Sequence, residues 1–166
     1  MELVEQDRSE SDLDPSVIEK LGRVGLRVYR PGREHADRPL PLYLSRIPAG
    51  FPSPADDHIE CSLDLHRYLL VHPDASFFLR VSGDSMQDYR IHDGDLLIVD
   101  RAETAKEGRI VVAALDGELT VKRLGKFNGQ PALLPGNPAY PPILIGADQE
   151  LVVWGVVLHV IHSLTP

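Results

Sequence analysis

The chain has 166 residues, 43% of them hydrophobic, and a formal net charge of −8. This length supports one domain with a terminal extension, and the apolar content is sufficient for a hydrophobic core. No run approaches the roughly 18 apolar residues of a membrane span, and the acidic N-terminus does not resemble a signal peptide, so we expect a cytoplasmic protein without a membrane partner.

The first 49 residues predict an arm rather than a folded domain. Residues 1–14 are acidic and polar, which is typical of a mobile tail. Asp14 and Pro15 then supply an N-cap and a first helical residue for one short helix that ends before Gly22. Residues 1–49 hold 9 acidic and 8 basic side chains, and the remaining residues hold 16 and 9. One short helix without a basic face is too little for a helix-turn-helix reader, so we expect no direct sequence-specific DNA binding.

A polar linker and a candidate cleavage segment follow the predicted helix. Residues 30–39 contain two prolines, and Leu40 to Ile47 has the pattern of an extended strand. Ala49 and Gly50 are small, and small residues allow a peptide backbone to approach a nucleophile closely. By themselves they also fit an ordinary loop.

The remainder predicts a mostly β fold. Asp64 has the position of an N-cap for a short helix through Leu69, and Asp116-Gly117 is a two-residue hairpin signal. This pattern predicts a mainly antiparallel, partly closed sheet. The predicted strands are Phe77 to Val81, Asp95 to Asp100, Arg109 to Leu115, Glu118 to Leu124, Ala132 to Leu134 and Leu151 to Ile161.

Two residues suggest a chemistry. The stretch 82–86, Ser-Gly-Asp-Ser-Met, predicts a turn that presents Ser85 after a strand, and Lys122 lies inside a later strand. In acyl transfer, Ser85 would attack a carbonyl carbon while a neutral Lys122 removes its proton. A free lysine titrates near ~10.4, so a useful base requires desolvation or a nearby cation. Backbone N–H groups of Asp84 and Ser85 are the candidates for holding the oxyanion.

These motifs resemble the LexA/UmuD (S24) family of self-cleaving serine peptidases, and UmuD-like members most of all. The resemblance rests on stretches 82–86, 93–100 and 116–124, on the 37-residue separation of Ser85 and Lys122, and on Ala49-Gly50 followed by Phe51-Pro52. It implies cleavage of the Ala49-Gly50 bond, which would divide the chain into an arm, residues 1–49, and a peptidase and dimerisation domain, residues 50–166.

The resemblance also implies partners and a biological role. It implies a homodimer whose cleavage is stimulated by a RecA–single-stranded DNA filament in the SOS response. The trimmed form would then serve as accessory subunit of a UmuC-type Y-family translesion polymerase. Two alternatives stay open: a LexA-like stress-controlled repressor fragment, and a polymerase-binding module whose serine and lysine are vestigial.

Other reactive residues suggest no competing site. The seven histidines lack the spacing of a metal cluster, so we expect no metal, and no glycine-rich phosphate loop suggests a cofactor. A Ser85–His92 pair ranks below the serine–lysine pair because Asp93-Gly94-Asp95 fits a turn better than a triad. Cys61, the only cysteine, is flanked by acidic residues and is interpreted as a structural thiol.

Overall fold

Strands dominate the part of the chain that the structure describes. The computed structural model describes residues 28–29, 40–43 and 59–164. Within these ranges, one α-helix (α1) spans Leu65–Leu69, and 3-10 turns span Pro73–Ala75 and Gln87–Tyr89. The strands in chain order are β1 (Val28–Tyr29), β2 (Leu40–Tyr43), β3 (Ile59–Leu63), β4 (Ser76–Arg80), β5 (Leu96–Asp100), β6 (Ile110–Leu115), β7 (Glu118–Phe127), β8 (Gln130–Leu134), β9 (Ile143–Leu144) and β10 (Leu151–Ile161).

Eight of these strands form one sheet in the order β1-β4-β5-β10-β6-β7-β8-β9, and β2 pairs with β3 separately. Every described pairing is antiparallel. The predicted mostly β, mainly antiparallel class is therefore confirmed. The strand order has two ends, β1 and β9, so the sheet is not closed into a full barrel.

The last strand, β10, lies near the middle of the sheet. It pairs with β5 on one side and with β6 on the other, and Val156 is fully buried. A Cβ at Gly155 would lie 2.7 Å from a methyl carbon of Val99, so only glycine fits this crossing of β10 and β5. In this central position Gly155 and Val156 are buried, and most other residues of β10 are half-buried.

Local signals set the helix and the hairpin as predicted. The Asp64 carboxylate caps α1 by accepting from the N–H of His66 at 2.9 Å and of Arg67 at 3.2 Å. Asp116 and Gly117 both have positive φ, 50° and 86°, as a two-residue hairpin between β6 and β7 requires. Among the described residues, no helix is long and apolar enough to cross a membrane.

The core underlies the stretch that carries Ser85. One cluster of buried side chains comes from β4, β5 and β6 and from the turn after β4. Met86 and Ile91, 2% and 1% exposed, anchor this turn in the cluster. Met86 is thus a packing residue of the core. The cluster comprises Phe77, Leu79, Val81, Met86, Ile91, Leu97, Val99 and Val112.

Candidate active site

The chain leaves the sheet immediately before Ser85. Val81 is still bonded to the neighbouring backbone, since its N–H donates to the Asp95 carbonyl at 2.8 Å. Gly83 then adopts φ +92°, a conformation that L side chains rarely adopt, and its N–H donates to the Asp93 carboxylate at 2.7 Å. The chain consequently turns out of the sheet and presents Ser85, half-buried, at its surface.

The loop between β8 and β9 holds this turn from the other side. The N–H of Gly136 donates to the Ser85 carbonyl at 2.8 Å, and the Gly136 carbonyl accepts from the N–H of Asp88 at 2.7 Å. The Asn137 side-chain amide donates to the Asp84 carbonyl at 3.1 Å. Three hydrogen bonds therefore connect the loop to Asp84, Ser85 and Asp88.

The Asp84 carboxylate faces the same loop. The Tyr140 hydroxyl donates to one carboxylate oxygen at 2.5 Å, and the Asn137 amide donates to the other at 3.3 Å. The pKa of Tyr140 is raised above its usual range, mainly by the hydrogen bond to Asp84 and to a lesser extent by the negative charge of Asp84. The Tyr140 hydroxyl thus remains protonated, and a donor, into the alkaline range.

Lys122 approaches Ser85 from the middle of β7. It lies opposite Val111 of β6, and its side chain is only 7% exposed although it carries an amine. Its Nζ lies 2.8 Å from the Ser85 Oγ. Burial lowers the pKa of Lys122 because the charged form loses its hydration. The structure therefore brings together the two predicted site residues, in an environment that favours a neutral amine.

The other contacts of Nζ orient this amine. Nζ donates to the Thr120 Oγ1 at 2.9 Å and to the Val121 carbonyl at 3.0 Å. A neutral amine has two N–H donors and one lone pair. When both donors are used by Thr120 and Val121, the lone pair is left to face the Ser85 hydroxyl, as a general base requires.

Two cavities open on either side of this pair. The smaller, of about 100 Å³, lies between the turn and β7, and the larger, of about 320 Å³, extends toward the β8–β9 loop. Ser85 and Lys122 line both, so a peptide bound across the two cavities would lie beside both side chains. The smaller is lined also by Val81, Ser82, Gly83, Met86, Leu119, Thr120 and Val121, and the larger by Ser82, Gly83, Asp84, Tyr140, Pro141 and Ile143.

Two further predicted elements of the site are the cleavage segment and the groups that would bind the oxyanion. The Ala49-Gly50 segment lies outside the described residues. Among the described residues, none accepts a hydrogen bond from the backbone N–H of Asp84 or Ser85, the two groups predicted to hold the oxyanion.

Three site residues were missed from the sequence. Thr120 precedes Lys122 by two positions, and residues two apart on a strand share a face, so this signal was available. Asn137 and Tyr140 were predicted only as part of a loop. Their contact with Asp84 crosses more than fifty residues of chain, and no local pattern encodes it.

His92, the predicted alternative partner of Ser85, makes its described ring contact elsewhere. The His92 ring packs edge-on against the ring of His162, with centroids 5.5 Å apart, and His162 contacts the buried Asp95 at 2.6 Å. Cys61 belongs to β3, and its side chain is outside the description. Within the described ranges, no three His, Cys, Asp or Glu side chains are grouped closely enough to hold a metal ion.

Comparison with known proteins gives one consistent result. The model of the Peptidase S24-like family matches residues 41–158. The chain is similar to Protein MucA of Salmonella typhimurium, with 54% identity over 72% of this chain and 82% of MucA. It is also similar to Protein SamA of Salmonella typhimurium, 47% identical over 83% of this chain and 96% of SamA. The LexA repressor of Ectopseudomonas mendocina is 40% identical over 83% of this chain and 68% of that repressor.

Proposed function

Because this chain belongs to the LexA/UmuD family of S24 peptidases, we propose that it cuts its own Ala49-Gly50 bond with Ser85 as nucleophile and Lys122 as general base. The observation that carries the proposal is the 2.8 Å contact between Lys122 Nζ and Ser85 Oγ, made by a lysine that is 7% exposed. Serine becomes a useful nucleophile when an adjacent base removes its proton, and burial makes this lysine available as that base.

The first half of the reaction forms an ester. The Ser85 Oγ attacks the carbonyl carbon of Ala49 as its proton passes to the Lys122 amine. The oxyanion that develops would accept from the backbone N–H groups of Asp84 and Ser85. Collapse of this intermediate breaks the bond to the Gly50 nitrogen, which takes the proton back from Lys122 and leaves as a free amine.

The second half restores the enzyme. Neutral Lys122 removes a proton from a water molecule, which attacks the ester carbonyl between Ser85 and Ala49. The Ser85 oxygen leaves with that proton, and Ala49 becomes a free carboxylate. The products are residues 1–49 and residues 50–166, and the second retains both catalytic side chains.

The described arm strands add a consequence of cleavage. β1 and β2 lie in residues 1–49 and pair with β4 and β3, which lie in residues 50–166. Cleavage between residues 49 and 50 therefore separates the covalent chains before these pairings are released. Fragment masses must accordingly be measured after denaturation.

We place this reaction in SOS mutagenesis, on the strength of the similarity to UmuD-like relatives such as MucA and SamA. In this proposal the intact chain is a homodimer, and a RecA–single-stranded DNA filament shifts the cleavage segment toward the docked state. The trimmed form then joins a UmuC-type Y-family polymerase in translesion synthesis. The net charge of −8 fits a protein recruited to DNA through protein partners.

A time course of self-cleavage tests the proposal. The native, Ser85→Ala and Lys122→Ala chains are incubated at neutral and alkaline pH, with and without RecA filament, and denatured fragments are weighed by mass spectrometry. We expect residues 50–166 from the native chain alone, formed faster at high pH because Lys122 is then neutral. Intact native protein under every condition would contradict the peptidase proposal and favour the vestigial polymerase-binding module.

One relative suggests a second candidate function. The 40% identity to a LexA repressor raises the possibility of a stress-controlled repressor fragment. That function requires the intact chain to bind an operator, whereas residues 1–49 hold 9 acidic and 8 basic side chains. Gel-shift measurement with intact protein and promoter DNA separates the two, since the SOS-mutagenesis proposal predicts no retarded complex.

A further inference from the structure

We propose that Tyr140 and Asn137 are positioning residues for self-cleavage, which hold the turn that carries Ser85 through their hydrogen bonds to Asp84. This inference rests on the proposed peptidase function and assigns part of that function to the loop between β8 and β9. Neither residue touches Ser85 Oγ or Lys122 Nζ in the described contacts, so both act through Asp84.

The turn needs such support because of where it lies. Ser82, Gly83 and Asp84 are exposed, and none belongs to a strand. On the far side of Ser85, Met86 is buried in the core. The side of the turn before Ser85 therefore depends on hydrogen bonds for its position, since an error of about 1 Å at a reacting atom can slow a reaction about 10²-fold.

Asn137 provides a fixed point for this side of the turn. It is 6% exposed, and its Oδ1 accepts from the Ala139 N–H at 2.9 Å within its own loop. Its Nδ2 reaches the carbonyl and the carboxylate of Asp84 at 3.1 and 3.3 Å. A buried amide with both ends in use is held in one orientation, so it transmits the position of the loop to Asp84.

Tyr140 provides the second attachment and is better suited to a test. Its hydroxyl donates to the Asp84 carboxylate, while its side chain is 40% exposed and lines the larger cavity beside Ser85 and Lys122. Because the residue is exposed, loss of the hydroxyl removes a hydrogen bond without opening a hole in the core.

The same bonds have an electrostatic effect on the reaction. Negative charge develops on the oxyanion close to Asp84, and a neighbouring carboxylate opposes it. Donors from Tyr140 and Asn137 engage one carboxylate oxygen each and partly offset that charge. Release of Asp84 would therefore misplace Ser85 and also leave a less compensated charge near the oxyanion.

The test compares Tyr140→Phe with Tyr89→Phe in full-length protein. Tyr89 is a matched control because it is similarly exposed, 38% against 40%, and lies on the adjacent 3-10 turn with its ring against Arg123. We expect Tyr140→Phe to lower the alkaline plateau of the cleavage rate by about tenfold, the loss that removal of one charge-assisted hydrogen bond causes. The midpoint of the pH–rate profile should stay unchanged, because the contacts of Lys122 are intact.

Variants of Asp84 show whether the hydrogen bond is responsible. Asp84→Asn keeps an acceptor for the Tyr140 hydroxyl and should therefore lose less of the plateau rate than Asp84→Ala. Adding Tyr140→Phe to Asp84→Ala should then cause no further loss, since the shared interaction is already absent.

Reactivity of Ser85 toward an alkyl fluorophosphonate gives a second measurement that does not require the cleavage segment to dock. We expect this labelling to slow in Tyr140→Phe and not in Tyr89→Phe. A native plateau rate and native labelling in Tyr140→Phe would overturn the positioning role, as would a shifted midpoint with an unchanged plateau. A native chain that is labelled but never cleaves itself would instead overturn the proposed self-cleavage and leave the positioning result to stand.

Discussion

The two halves of the candidate active site are held in place by different kinds of structure. Lys122 lies within β7, which pairs with β6, and its side chain is 7% exposed. Ser85 lies on a turn outside the strands, half-buried, and is positioned by hydrogen bonds to the β8–β9 loop. The sheet thus positions the proposed base, and a network of hydrogen bonds positions the proposed nucleophile.

The difference follows from what each group must do. A lysine acts as a base near neutral pH only when its charged form is disfavoured, and a strand packed on both sides provides that desolvation. A nucleophile must meet a peptide backbone, which requires an accessible hydroxyl beside open space. The turn supplies this because Ser85 lines both cavities.

Lys122→Arg should have the largest effect, because it replaces the proposed base with a side chain that stays protonated. Arginine titrates above about 12, so it cannot accept the Ser85 proton at any assay pH. We expect a loss of about 10²–10⁴-fold in the self-cleavage rate, the usual contribution of a general base. The measurement is the rate of fragment formation at alkaline pH, where the native rate is greatest.

Lys126→Arg is the matched control, since Lys126 lies on the same strand with its side chain 60% exposed. The Lys126→Arg protein should cleave itself at the native rate. If Lys122→Arg also retained that rate, a general-base role for Lys122 would be excluded, and the comparison between the two halves of the site would lose its basis.

The half of the site that carries Lys122, the proposed base, was largely predictable from the sequence. Alternation in 118–124 predicted the strand, and Asp116-Gly117 predicted the hairpin that sets it beside β6. The strand extends to Phe127 because a second two-residue signal, Asn128-Gly129, makes the next hairpin with φ of 51° and 82°. That signal was present in the sequence and was missed.

The half of the site that carries Ser85, the proposed nucleophile, was only partly predictable from the sequence. The turn at Gly83 was predicted from its glycine, but its attachments come from Asn137 and Tyr140, more than fifty residues away. Strands β1, β3 and β9 were missed for a related reason, since short segments pair because of their partners rather than because of a strong local pattern. Long-range hydrogen bonds and short strands are set by tertiary structure, which one sequence does not reveal.

Gly136→Ala should disturb the nucleophile half while sparing the base. A Cβ at Gly136 would lie 2.3 Å from a ring carbon of Tyr89 and 3.3 Å from the Met86 backbone, so the Tyr89 ring or the β8–β9 loop must shift. We expect a loss of up to about 10²-fold in cleavage rate through misplacement of Ser85. Overpacking should also lower the free energy of unfolding by about 1–3 kcal/mol.

The control for this change is Gly146→Ala, whose Cβ would make only a 3.4 Å contact with the Gln149 side chain. The measurements are the pH–rate profile and urea unfolding. A lower plateau with an unchanged midpoint would show that the nucleophile can be displaced while the base keeps its environment. A shifted midpoint would show that the two halves are not independent.

The smallest expected effect concerns folding. Lys122→Met abolishes the base as Lys122→Arg does, but it should also increase the stability of the protein. Burial lowers the pKa of Lys122 in the folded protein, whereas in the unfolded chain it is near ~10.4. Between these two pKa values the unfolded chain binds more protons than the folded protein. The free energy of unfolding of the native protein therefore increases as the pH rises from the folded-state pKa to ~10.4. Methionine removes this dependence, and at pH 7 we expect the variant to be more stable by about 1–3 kcal/mol.

Urea unfolding of both proteins from pH 6 to pH 11 measures this effect, with Lys126→Met as the control for an exposed lysine on β7. The stability of the native chain should approach that of Lys122→Met as the pH rises through ~10.4, above which the amine is neutral in the folded and the unfolded state. Parallel curves throughout would mean that folding does not lower the pKa of Lys122. Convergence would show that burial of Lys122, which lowers its pKa, also destabilises the fold. Such a stability cost is expected of the proposed base and should be absent at Lys126.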